Sequence, residues 1–238
     1  MLATALTPEF WIGLLKIIWV NLLLSGDNAV VIALAARSLP ARQQKQAIFW
    51  GSGAAIILRI LLTIFAVALL MLPWLKIAGG LLLIWIGVQL LVPDDDGDEI
   101  ASSDNLLTAI RTILIADLVM SLDNVIGVAA AADTAPGDAK IVLLILGLAI
   151  SIPIIIFGST VVLHMMERFP VIITFGGGLL GWIAGEMMVT DPAIADWVHE
   201  RVAWLHSYYV SAIIGAALVV IVGTVLARRR PAAESELK

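Results

Sequence analysis

The sequence predicts an all-α integral membrane protein, with seven transmembrane helices forming two inverted three-helix repeats plus one extra helix. Three observations predict it: a composition too apolar for a soluble domain, a succession of long apolar runs, and an internal repeat whose unit is three runs. Of the 238 residues, 61% are apolar and only 14% charged, against about 25% charged in an ordinary soluble domain. A mean hydropathy of +1.03 leaves too little polar surface to cover a globular core. A soluble enzyme, a disordered tail and a nucleic-acid binder are excluded on this count, the last also by the net charge of −5. The chain has no cysteine, which removes disulfides, thiolate metal sites and cysteine nucleophiles. Its 3 histidines are too few for a histidine-rich metal cluster.

A helix needs about 20 mostly apolar residues to span the hydrocarbon. Such runs lie near 10–36, 46–72, 74–91, 106–132, 139–163, 170–189 and 209–227. Pro40, Pro73, the acidic stretch after Pro93, Pro136-Gly137, Pro170 and Asp191-Pro192 separate them. The third and sixth runs are short and glycine-rich, too short to be relied on to cross the full thickness alone. The residues up to Pro8 carry no basic region, so the first run reads as a retained span and not a signal peptide. Arg37, Arg42 and Lys45 follow the first run and Arg228, Arg229 and Arg230 the last. By the positive-inside rule the amino terminus is then outside and the carboxyl terminus in the cytoplasm, in a bacterial cytoplasmic (inner) membrane. Residues 94–99, Asp94-Asp95-Asp96-Gly97-Asp98-Glu99, invite a reading as a calcium loop. They fail it, because the glycine position is Glu99 and the bidentate glutamate position is Asn105.

Self-comparison gives the repeat. Residues 20–37, VNLLLSGDNAVVIALAAR, align with residues 116–133, ADLVMSLDNVIGVAAAAD. Ser25, Asp27 and Asn28 fall on Ser121, Asp123 and Asn124, and Asn21 falls on Asp117. At nearly the same offset Gly79-Gly80, Trp85 and Gln89 fall on Gly176-Gly177, Trp182 and Glu186, with Pro73 and Pro170 ahead of them. An odd number of spans per copy inverts the second copy in the membrane. The chain thus divides into a first repeat at 1–92, an acidic cytoplasmic linker at 93–105, a second repeat at 106–190, and an external loop, seventh helix and basic tail at 191–238. The seventh helix belongs to neither copy and is expected at the periphery.

Ionisable side chains at mid-span cost about 2.5–3.5 kcal/mol each on insertion scales, so they are functional candidates by default. Asp27, Asp117 and Asp123, with Asn21, Asn28, Asn124, Ser25 and Ser121, offer hard oxygen donors suited to Mg²⁺, Ca²⁺ or Mn²⁺. Two or three carboxylates would balance a divalent charge, so the set does not require an arginine. Arg59, deep in the second run, reads as an ion-pair partner or snorkelling side chain, since a cation does not coordinate a cation. On a continuous helix Asn21, Ser25 and Asn28 share a face, as do Asp117, Ser121 and Asn124. Asp27 and Asp123 lie off that face and join it only through local unwinding or between neighbouring helices. Gly26 permits unwinding in the first copy, whereas Leu122 disfavours it in the second. Glu186 is a candidate proton carrier. Trp11, Trp19, Trp50 and Trp74 read as interfacial anchors, and the glycine runs as sites of close helix packing.

The two segments SGDNAVVIALAAR and DLVMSLDNVIGVAAAA, each opening a three-span half, resemble the TerC family of integral membrane proteins, in particular its short YjbE-like branch. The resemblance covers about residues 10–230. It implies a relation to the lysine exporter superfamily and a role in manganese efflux. It also implies a metal-binding set of Asp27, Asn28, Asp117, Asp123 and Asn124. Asn21 departs from other branches, which carry an acidic residue there. The expectation is a secondary transporter, not an enzyme and without a resident cofactor. It would export a divalent cation, manganese first, by alternating access at a midplane site. Its partners would be that ion and the bilayer, with a homo-oligomer left open. Rival readings are an intramembrane aspartyl protease, an accessory membrane subunit and an amino-acid exporter. No phosphate-binding lysine motif supports ATP drive.

Overall fold

The computed structural model describes residues 8–24, 26–70, 72–92, 102–132, 140–204 and 209–229. All regular structure among them is helical: α1 Pro8–Leu24, α2 Gly26–Ala36, α3 Ala41–Leu70, α4 Leu75–Leu91, α5 Ser102–Ala132, α6 Lys140–Arg168, α7 Val171–Val189, α8 Ala195–Arg201 and α9 Val210–Arg229. Five of these, α3, α5, α6, α7 and α9, are long and apolar enough to cross a membrane. The pair α1 and α2 makes a sixth if counted as one span bent by 49°. The 17 residues of α4 fall below the length that crosses alone, as its brevity suggested. α7, also read as short, meets the length. α5 starts at Ser102, inside the stretch expected as linker, and α8 interrupts the expected external loop.

The first run is broken where glycine enters it. α1 stops at Leu24 and α2 restarts at Gly26, with the Asp27 carboxylate accepting the Asn28 backbone N–H at 2.8 Å. A carboxylate in the first turn suits the positive end of a new helix. The repeat-related stretch carries Leu122 and runs unbroken within α5. The same motif is a break in one half and a continuous helix in the other.

Serine and threonine hydroxyls within the spans turn back onto their own helix. Ser151, Ser159 and Thr160 donate to the carbonyls of Gly147, Ile155 and Ile156, each at 2.8 Å. No polar atom of these three then faces hydrocarbon unpaired. One apolar core, with Ile17, Leu34, Ile113, Leu148 and Met166, joins α1, α2, α3, α5 and α6. A second, with Leu83, Ile86, Val119, Leu180 and Met187, lies between α4, α5 and α7. Outward faces stay apolar. Trp11, Trp19, Trp50 and Trp74 are each more than half exposed, as anchors at a lipid interface are.

Glycines set the closest approaches. A Cβ on Gly79 would stand 2.8 Å from Val119 on α5, and one on Gly176 would stand 2.7 Å from Leu34 on α2. The third run of each half therefore packs on the Asp-Asn helix of the other half. α9 is more intimate with the bundle than a peripheral addition would be. Gly181 and Gly185 of α7 face Ser211 and Gly215 of α9, and a Cβ at Gly181, Gly185 or Gly215 would overlap the opposing backbone. Small residues four apart let two backbones meet where lipid supplies no hydrophobic drive. The Trp182 and Tyr209 rings stack beside them at 5.8 Å. Replacing Gly215 by Leu pushes against backbone that cannot turn aside. It should cost about 3 kcal/mol or more, read as a lowered melting temperature in detergent and faster proteolysis before α9.

The start of α4 is capped from the far half of the chain. Trp74 holds φ 70° and has no capping side chain of its own. Asp191, after α7, accepts the backbone N–H groups of Trp74 and Ala193 at 2.8 Å, Lys76 at 2.9 Å and Ile77 at 3.1 Å. Burial pushes its pKa up, but the N–H groups of Ala193, Trp74, Ile77 and Lys76 outweigh that and hold the carboxyl below the ordinary carboxylate value. A lowered folded pKa means the unfolded chain binds the proton more readily. The stabilisation is therefore complete above the unfolded value of about 3.9 and lost as pH falls through the folded one. Asp191→Asn should lower the melting temperature by several degrees at neutral pH and flatten the acid limb of melting temperature against pH.

Candidate functional site

The polar centre of the molecule is built around Arg59. Two helices supply partners to Arg59 on α3: Asn21 from α1, and Asp117 and Ser121 one turn apart on α5. The guanidinium Nε–H donates to Ser121 Oγ at 3.0 Å and Nη1 to Asn21 Oδ1 at 2.9 Å, while Nη2 pairs with Asp117 Oδ1. The Ser121 hydroxyl in turn donates to Asp117 Oδ2 at 3.2 Å. The Arg59 carbonyl accepts the Thr63 hydroxyl at 2.8 Å. Arg59 is 1% exposed and Asp117 5%, with Asn21 and Ser121 at 0%. At such burial an unpaired charge is prohibitive, and the fork of the guanidinium meets a carboxylate and two neutral oxygens in directions it is built to reach.

Asp117 and Ser121, which the sequence puts on one face of their helix, are joined by Asn21 from the matching face of the first copy, and a protein cation sits on all three. Arg59 acts as the ion-pair partner expected of it and goes further, organising the cluster. The sequence reading that the carboxylates need no arginine does not describe Asp117. The repeat gave no signal for this role, because the positions matching Arg59 in the second half are Ile155 and Ile156.

Asp27, at the start of α2, is half-buried and within electrostatic reach of both Arg59 and Asp117. Asn28 is 2% exposed, and neither its amide oxygen nor its amide nitrogen has a hydrogen-bond partner among the described residues. Asn124 is half-buried and engaged in an interaction of its own. Ser25 and the Asp123 side chain lie outside the described residues, although the Asp123 backbone continues α5. Glu186 is half-buried on α7 and takes no part in the hydrogen bonds around Arg59. Among the described residues no three His, Cys, Asp or Glu side chains gather as a metal cluster. The donor set is instead mixed, made of carboxylate, amide and hydroxyl oxygens.

A bundle of apolar helices with a broken first run and an ion-paired polar centre defines a polytopic α-helical membrane protein. The chain belongs to the TerC family: the profile described as "Integral membrane protein TerC family" matches residues 6–232. It is 46% identical over 193 residues, 81% of this chain and 86% of the relative, to the protein described as "Uncharacterized membrane protein YjbE" of Bacillus subtilis (strain 168). In the same organism it is similar to "Uncharacterized membrane protein YkoY", at 23% identity over 85% of this chain and 67% of the relative. "Uncharacterized membrane protein YceF" matches at 24% identity over 76% of this chain and 72% of the relative. No solved structure matches.

Removing one partner of the buried pair strands the other. Arg59→Leu should destabilise by about 3–5 kcal/mol. Arg59→Leu combined with Asp117→Leu should recover part of that loss, a non-additivity measurable by a double-mutant cycle of unfolding in detergent.

Proposed function

We propose that the chain is a secondary transporter that exports a divalent metal cation, manganese first, across the cytoplasmic membrane, with its amino terminus outside. The observation that carries the reading is the buried, unpartnered Asn28 amide beside Asp27, where α1 gives way to α2. A polar group left without a partner at lipid depth is costly. It is accounted for if a passing ion supplies the missing contact through the amide oxygen. Broken helices of this kind form ion sites in transporters, where irregular backbone borders a cavity.

The charge balance supports a divalent cargo. Three carboxylates, Asp27, Asp117 and Asp123, against one guanidinium leave a net charge that one doubly charged ion would match. Hard oxygen donors without imidazole or thiolate favour Mn²⁺, Mg²⁺ or Ca²⁺ over zinc or copper. Asp27 and Asn28 would bind the ion from the first half, Asp123 and Asn124 from the second. Packing of α4 on α5 and of α7 on α2 is the exchange that two inverted three-helix halves would give, and it supports rocking of one half against the other as the means of alternating access. Glu186 would then stand apart from the cargo as a proton carrier.

Three substitutions separate cargo binding from folding. Asp27→Asn and Asp123→Asn should each lower manganese export at least about tenfold, in a cell lacking other exporters and at unchanged membrane levels. Asn28→Leu should abolish export while leaving the melting temperature equal or higher, since it removes an unsatisfied amide. Retained manganese tolerance in these variants would instead favour an accessory role for the fold.

A further inference from the structure

Arg59 is more heavily engaged than a counter-ion needs to be. Its Nε, Nη1 and Nη2 reach Ser121, Asn21 and Asp117, and it is almost without exposure. Those acceptors are the same kinds of oxygen that a hard cation seeks, and two of them, Asn21 and Asp117, occupy equivalent positions in the two halves. A guanidinium and a divalent ion cannot share the same oxygens, because both need the lone pairs and the two cations repel at low dielectric. A carrier also has to release what it binds, which requires that the site hold its ion only weakly enough to let go.

We propose that the Arg59 guanidinium is a tethered competitor of the cargo. It and the divalent cation exclude each other from the oxygens of Asp117, Asn21 and Ser121. The inference rests on the cation-export reading. The guanidinium holds these oxygens and screens Asp117 from Asp27 until an ion arrives. An arriving ion, seated first on Asp27 and Asn28, draws on Asp117 and drives the guanidinium off. Return of the guanidinium expels the ion. The asymmetry of the repeat, arginine in one half against Ile155 and Ile156 in the other, means that the competitor comes from one half alone, while the oxygens it contends for come from both.

The test is binding, measured by isothermal titration of the purified chain in detergent with Mn²⁺. Wild type is compared with Arg59→Ala and Arg59→Lys, each checked for folding by its melting curve. Arg59→Ala should bind Mn²⁺ at least about tenfold more tightly than wild type. Free guanidinium ion, entering the vacated space, should abolish that gain where the same concentration of potassium does not. Arg59→Lys, a compact ammonium that makes fewer of the three contacts, should fall between. Equal or weaker binding by folded Arg59→Ala, or indifference to guanidinium, overturns the competitor while leaving the export reading standing. Wild type that binds no divalent ion overturns both. Should Arg59→Ala fail to fold, the wild-type chain labelled with ¹⁵N-arginine decides. Cd²⁺, a diamagnetic stand-in for Mn²⁺, should shift the slowly exchanging Arg59 Nε–H signal and expose it to solvent exchange. An unmoved signal under saturating Cd²⁺ overturns the proposal.

Discussion

A single guanidinium at lipid depth constrains how three helices can meet. Arg59 on α3 cannot remain buried without a carboxylate, and Asp117 on α5 cannot remain buried without a cation. Ser121, one turn further along α5, binds both, and Asn21 closes the set from α1. The rotation of α5 about its axis is fixed by the need to present Asp117 and Ser121 together. The height of α1 is fixed by Asn21, just before the chain breaks. Everything around Asp27 and Asn28 is positioned by that pair, because α2 starts where α1 has been pinned.

Apolar matching cannot supply such precision in a bilayer, since lipid tails compete for the same surfaces on equal terms. Shape does the rest. Gly79 and Gly176 allow α4 and α7 to approach α5 and α2, and Gly181, Gly185 and Gly215 bring α7 and α9 into backbone contact. Asp191 adds a tie of a different kind, spanning the two halves by accepting the N–H groups that open α4. The polar centre and the glycine seams divide the work. One sets which side chains face inward, and the others set how near the helices stand.

Much of the architecture is legible in the sequence. The runs that became α3, α5, α6, α7 and α9 declare themselves by length and composition, because a span must satisfy its backbone internally and cover itself with apolar side chains. The break after Leu24 was legible from Gly26, and its absence in α5 from Leu122, since glycine is a weak helix former and leucine a strong one. Asp117 and Ser121 were legible as one polar face from helical spacing, and Asn21 as part of the matching face in the first copy. Arg59 at the centre of that face was not. It stands 38 residues from Asn21 and 58 from Asp117, and no periodicity links one helix to the azimuth of another. The unpartnered Asn28 amide was equally hidden, because a missing hydrogen bond is a property of surroundings and not of a residue.

The sequence by itself determined the environment, the helical class, the duplicated Asp-Asn motif and the membership in TerC. These follow from local rules: transfer cost, helix period and repetition along one chain. Only the tertiary structure decided that Asp117 and Asn21 hold an arginine, that each third run packs on the motif helix of the opposite half, and that α9 joins α7 through glycine. Those depend on which faces meet in space. Helices fix the order of side chains around themselves, and packing alone fixes which of those side chains find a partner.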